Sequence, residues 1–296
     1  MVYMASKITR RILGVCCLLW MTGNLQAQSN RRPFHQEAAF IRYLQDKELY
    51  GDALVVLNEL DPGKLDPIER DSVSYLKGWS FYNLKHLDSS AFYLARVRPG
   101  SALFVKSGFF GAYNNIYLGR YDRAKAVLDR IPAIGDTAEI VRFERAGMAL
   151  LQKDYDAFDS LHQDFSYNLY ALSAQEQHFQ DYEQQLRNLK HKSPLVAGVL
   201  SAVIPGAGKV YAGKLYQGIA TLFPMAALAL LTNESYHKRG PNSAEFYVFG
   251  SLLTVFYVGN IWGSVFSVKI KRREDENLVD QKVLLDLQIP LRTIFN

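Results

Sequence analysis

The sequence predicts an all-α protein in which a solenoid of stacked helical pairs precedes a membrane-embedded helical module. Three observations point there. A segment recurs four times between residues 34 and 166, its apolar residues fall at three- and four-residue spacings, and three apolar runs crowd into the last third of the chain. The composition agrees. With 49% hydrophobic and 21% charged residues and only 2 Cys in 296, the chain is not disordered, collagenous or disulfide-stapled, and its length suits two domains.

Residues 1–27 read as a signal peptide. Lys7, Arg10 and Arg11 precede the apolar run Ile12 to Met21, and Ala27 is a small residue suited to cleavage before Gln28. Leu25 is larger than the residue preferred two positions earlier, so an uncleaved anchor stands as the alternative; either form exports the remainder of the chain. Both cysteines, Cys16 and Cys17, lie in the apolar run. A cleaved chain would carry no thiol, which removes disulfides, thiolate catalysis and Cys-ligated zinc.

The formal charge of +5 is unevenly placed: residues 1–27 carry +3, residues 28–193 carry −1, and the remainder +3. Nucleic-acid binding needs cations clustered on a surface. Here the excess flanks apolar segments, where it sets membrane orientation instead, and no nucleic-acid partner is expected.

Self-alignment of residues 28–171 places Tyr50, Leu87, Tyr121 and Tyr155 in register, 37, 34 and 34 residues apart. Each anchor is followed three residues later by Ala53, Ser90, Ala124 or Phe158. Apolar residues such as Phe40, Ile41 and Leu44 share one helical face. A lone pair of helices cannot bury such a face, so successive pairs must stack. Asp61-Pro62-Gly63, Arg98-Pro99-Gly100 and Ile131-Pro132 break the helices between repeats. The 34-residue period, with a large residue, two variable ones and a small residue opening the second helix, resembles the tetratricopeptide repeat. Gly119-Arg120-Tyr121-Asp122-Arg123-Ala124 matches best, whereas Ser90 and Phe158 depart from the usual Ala. The resemblance implies a concave surface that binds a protein partner. The dense aromatics, Phe81-Tyr82, Phe92-Tyr93 and Phe109-Phe110, follow helical spacing and are expected to pack between repeats. Residues 172–193, rich in Gln and Glu, form a solvated capping and connecting helix.

Residues 194–270 form the membrane module, with apolar stretches at Pro194 to Gly208, Leu215 to Thr232 and Phe246 to Ile270. The last two have spanning length. The first ends in Ile204-Pro205-Gly206-Ala207-Gly208, which frees backbone groups that lipid cannot satisfy. Pro205, Gly206, Gly208, Lys209, Tyr211, Gly213 and Gly218, with Tyr257, Gly259, Asn260, Trp262 and Gly263 in the last stretch, resemble the core of bacterial membrane proteins related to the two-transmembrane-helix domain family. The resemblance implies an envelope membrane module without a reaction, and the aspartate of that family's second helix is missing here. Asn260 is the informative polar residue. It either glues helices together or completes the backbone groups freed at the break, forming a small polar site.

The positive-inside rule favours three crossings, with the Lys269 to Arg273 cluster inside and an exported repeat domain outside. Two crossings after export, or a cytoplasmic hairpin without export, are the alternatives. Residues 271–296 form a polar tail, read as a surface helix.

No enzyme chemistry is expected. Gly208 to Lys214 imitates a phosphate-binding loop, but Leu215 replaces the Ser or Thr that would hold Mg²⁺ and no strand precedes it. The six histidines are scattered, so neither metal nor cofactor is called for. The expected role is a scaffold of the bacterial inner membrane whose periplasmic repeat domain binds a protein while the module contacts lipid. The alternative is a subunit of a transport or membrane-protein biogenesis assembly, with a ligand at the Gly-rich break.

Overall fold

The computed structural model describes residues 34–189 and 192–295. The expected signal peptide, with Cys16 and Cys17, lies outside the described residues. Among the described residues there are thirteen α-helices, one short 3₁₀ turn and no strand. The chain divides into two compact units between Ser101 and Ala102.

The first unit contains α1 (Phe34–Asp46), α2 (Tyr50–Glu59), α3 (Pro67–Asn83) and α4 (Leu87–Leu94). The second opens with α5 (Phe104–Tyr117), α6 (Tyr121–Leu128), α7 (Asp136–Gln152), α8 (Tyr155–His162) and α9 (Tyr170–Arg187). It closes with α10 (Pro194–Val203), α11 (Ala207–Tyr211), α12 (Leu215–Arg239) and α13 (Ala244–Phe295).

Four helix–turn–helix pairs, α1/α2 to α7/α8, share one local construction. Each first helix ends on a left-handed residue, namely Glu48, Lys85, Gly119 and Lys153. At every one of these turns two crossed hydrogen bonds cap the helix. Glu48 N–H donates to Gln45 O and Leu49 N–H to Leu44 O, and the same pattern recurs at Lys85/His86, Gly119/Arg120 and Lys153/Asp154. These are Schellman caps, which satisfy carbonyls a helix end would otherwise leave open. The second helix then begins on the anchor itself: Tyr50, Leu87, Tyr121 and Tyr155 are the first residues of α2, α4, α6 and α8. Three residues on, Ala53, Ser90 and Ala124 are fully buried and Phe158 nearly so. A small residue there lets the paired helix approach, and the Ser90 hydroxyl donates to Gly78 O at 2.7 Å. Asp66, beside Pro67, closes a capping box with Glu69 at the start of α3.

Aromatics fill the interior as expected in part: Tyr82, Phe109 and Phe110 are fully buried, whereas Phe92 stays 57% exposed. Helix α9 is less solvated than its composition suggests. Leu172, Phe179 and Leu186 are buried, and Phe179 stacks on Phe143 of α7 with ring centroids 4.4 Å apart.

The larger departure concerns the tail. Residues 271–296 do not begin a separate element, because α13 runs unbroken through 52 residues, about 78 Å at 1.5 Å per residue. Its distal part is no surface helix. Val279, Val283, Leu287 and Leu291, one helical turn apart, are buried where α13 packs against α5, α7 and α9. Leu287 sits so tightly on Gly147 that a Cβ there would meet its Cδ2 at 2.6 Å. Phe295 stacks on Phe109. Asp286, 5% exposed, accepts from the Tyr182 hydroxyl at 2.8 Å and pairs with His178 Nδ1 at 2.9 Å. Burial and that bond to Asp286 push the Tyr182 phenol above its usual range. Lys153 pairs with Asp280.

Helices α12 and α13 are both long and apolar enough to cross a membrane, and only 11% of the most apolar stretch of each is covered by protein. Buried core helices would show the opposite. The first apolar run is not a third spanning helix. Helix α10 has 10 residues, about 15 Å, half the hydrocarbon thickness. Pro205 and left-handed Gly206 end it, and α11 folds back beside it. An odd number of crossings would also put the distal part of α13 and its partners α7 and α9 on opposite sides of a bilayer, which their packing forbids.

Candidate functional site

The break between α10 and α11 gathers most of the motif residues. Helix α10 starts at the Ser193 cap, whose hydroxyl accepts from Val196 N–H. The chain reverses at Ile204 to Gly206, and α11 returns until Tyr211 lies beside that start: the Tyr211 hydroxyl accepts from Ser193 N–H at 3.3 Å, and Lys192 Nζ donates to Tyr211 O at 2.6 Å. Gly213, also left-handed, then releases the chain toward α12.

The glycines are steric requirements. A Cβ at Gly208 would overlap the carbonyl oxygen of Ala197, and one at Gly206 would overlap that of Gly218. A Cβ at Gly218 would meet Val210 Cγ2 at 2.5 Å. Three backbones therefore meet where only hydrogen fits on Cα.

Asn260 satisfies what the break leaves open. Gly206 N–H donates to its Oδ1 at 3.1 Å, and its Nδ2 donates to Ser201 O at 3.1 Å. A backbone donor on one side and an acceptor on the other fix which way the amide points. The Ser201 hydroxyl accepts from Gly208 N–H at 2.9 Å and shares a 2.6 Å bond with Ser264. Tyr257 donates to Ala202 O. The amide thus joins α13 to α10 and in doing so completes backbone groups of the break.

Lys209 leans along α12, where its ammonium donates to Thr221 Oγ1 at 2.7 Å, and its Cε lies near Gly263. Gly208 to Lys214 is helix and turn, without the strand–loop–helix frame of a phosphate-binding loop. Beside this cluster a cavity of about 460 Å³ opens between α12 and α13. Trp262 takes no part: it is 60% exposed and stacks on Phe266.

The repeat anchors Tyr50, Ala53, Leu87, Tyr121, Ala124 and Tyr155 belong to the helix pairs. Ser201, Ser264 and Thr221 were missed in the sequence. Each is a hydroxyl inside an apolar run, the same signal that singles out Asn260.

No family model, curated protein or solved structure matches this chain.

Proposed function

We propose that the protein is a membrane-anchored helical scaffold, in which an apolar hairpin holds a set of helix pairs at a fixed distance from the bilayer. The supporting observation is α13, one continuous helix whose first half pairs with α12 and whose second half is buried against α5, α7 and α9. A flexible linker would tether the pairs; a docked helix orients them.

Both flanks of the hairpin then lie on one face of the membrane. The export-type N-terminus assigns that face to the periplasm of the inner membrane, although the cations at Lys269 to Arg273 favour the opposite sense. The N-terminal segment takes precedence because the first segment to insert usually sets orientation. Protein partners are expected on exposed aromatic faces, at Tyr43 and Phe92 in the first unit and at Tyr170 in the second.

Single cysteines at Gln177, Asn242 and Asn277, in a chain with Cys16 and Cys17 replaced, test the arrangement. Labelling of Gln177 and Asn277 from the periplasm, and of Asn242 only after permeabilisation, is expected. Asn277 labelling together with Asn242 would overturn it. Partner binding is tested by Phe92→Ser and Tyr43→Ser, which should release a co-purifying protein without altering membrane retention. A second reading, a subunit of a transport or membrane-protein biogenesis assembly, draws on the cavity beside Asn260.

A further inference from the structure

The cavity between α12 and α13 combines a cation with an apolar wall. Lys209 and Thr221 line one part, Met225 and Phe256 another, and Gly259 and Asn260 close it against the break. The Lys209 ammonium has three N–H donors. One goes to Thr221, and no carboxylate lines the cavity around it. The Thr221 hydroxyl is itself committed to Gln217 O. Asn260 keeps one amide N–H beyond its bond to Ser201 O. Lys209 and Asn260 therefore line one cavity whose lining includes no carboxylate.

A lysine among apolar helices without a counter-ion is costly, and it is stabilised by an anion that enters from outside. The wall says what kind. Val255 and Phe256 are 69% and 54% exposed, so the cavity opens sideways, toward whatever surrounds the hairpin. Its volume falls within the usual range for small-molecule sites. Gly259 adds to the space: a Cβ there would find nothing within 4 Å.

We infer that this cavity holds an acidic phospholipid of the surrounding bilayer, its phosphate on Lys209 and the Asn260 amide and one acyl chain along Met225 and Phe256. The inference rests on the hairpin being embedded in a membrane. It goes beyond the scaffold role, because it makes the anchor selective for lipid charge.

The test uses the full-length protein in neutral detergent, titrated with phosphatidylglycerol, phosphatidylcholine of the same chains, or palmitate, with bound adducts counted by native mass spectrometry. Phosphatidylglycerol should be retained about fivefold over phosphatidylcholine, the scale of one lysine acting on an anionic lipid. Lys209→Met should bring that ratio to about one. Gly259→Leu, whose Cβ has open space around it, should reduce phosphatidylglycerol adducts while leaving the fold intact. Equal retention of the two phospholipids by the wild type, a preference that survives Lys209→Met, unchanged adducts in Gly259→Leu, or retention of palmitate alone would each overturn the assignment. Carbonate-resistant membrane retention is measured in parallel. Its loss in the wild type would defeat the anchoring itself, whereas lost selectivity with retention intact defeats only the lipid site.

Discussion

The chain reverses direction in two chemically different ways. In the four helix pairs each turn is closed by its own backbone, so the left-handed position tolerates Glu48, Lys85 and Lys153 as well as Gly119. At the break between α10 and α11 the backbone cannot satisfy itself, and the missing partners come from Asn260, 54 residues away from Gly206, and from Ser201. Glycine is optional in the first setting and obligatory in the second. The difference arises from the surroundings. Near water a turn needs only local hydrogen bonds, whereas among apolar helices every donor must find a protein partner and the backbones must touch to provide one.

The sharpest way to break this comparison is Gly208→Ala. The added methyl would overlap the Ala197 carbonyl, so a loss of about 3 kcal/mol or more is expected, read as a collapse of detergent-solubilised thermal stability. A preserved melting temperature would mean the break is not closely packed. Leu287→Ala should come next, at about 3 kcal/mol. It opens the contact with Gly147 and should expose the distal part of α13 to hydrogen exchange ahead of its first half.

Glu144 tests the water-side interior. Both its carboxylate oxygens and the Ser107 hydroxyl are buried without a hydrogen-bond partner among the described residues. Burial holds the Glu144 carboxyl well above the usual range, so the folded state keeps a proton that the unfolded chain gives up. Its stability is therefore greatest below the unfolded value near 4.3 and falls as pH rises toward the folded value, by about 1.4 kcal/mol per unit. Glu144→Gln should flatten that slope above pH 5 and raise the melting temperature at neutral pH. A slope equal to the wild type's would show that another group titrates.

The smallest effect is the most diagnostic of the turns. Lys85→Gly relieves a left-handed non-glycine residue and should stabilise the first unit by about 1 kcal/mol, measurable as a shift in denaturant midpoint. Destabilisation would show that the Lys85 side chain, which lies over the Tyr82 ring, contributes more than its backbone conformation costs.

The helix pairs were legible because every anchor comes after its left-handed turn at the same offset, so the period survives even where Ser90 and Phe158 replace a small apolar residue. The break was legible because Pro205, two nearby glycines and Asn260 are conspicuous inside apolar runs. Two things were not. Charge counting treats each apolar run as a crossing, and a run that folds back after 10 residues defeats it. The buried stripe Val279, Val283, Leu287 and Leu291 is interleaved with Asp280, Lys282 and Asp286, so its composition is that of a solvated helix. What identifies it is the glycine facing it, Gly147, far away in the chain.

That late stripe has a consequence for biosynthesis. The grooves of α5, α7 and α9 are laid down before the two long apolar helices begin, whereas the residues that seal them follow. Until those residues emerge the nascent chain carries an open apolar groove, and a truncation before Val279 would leave that groove unfilled.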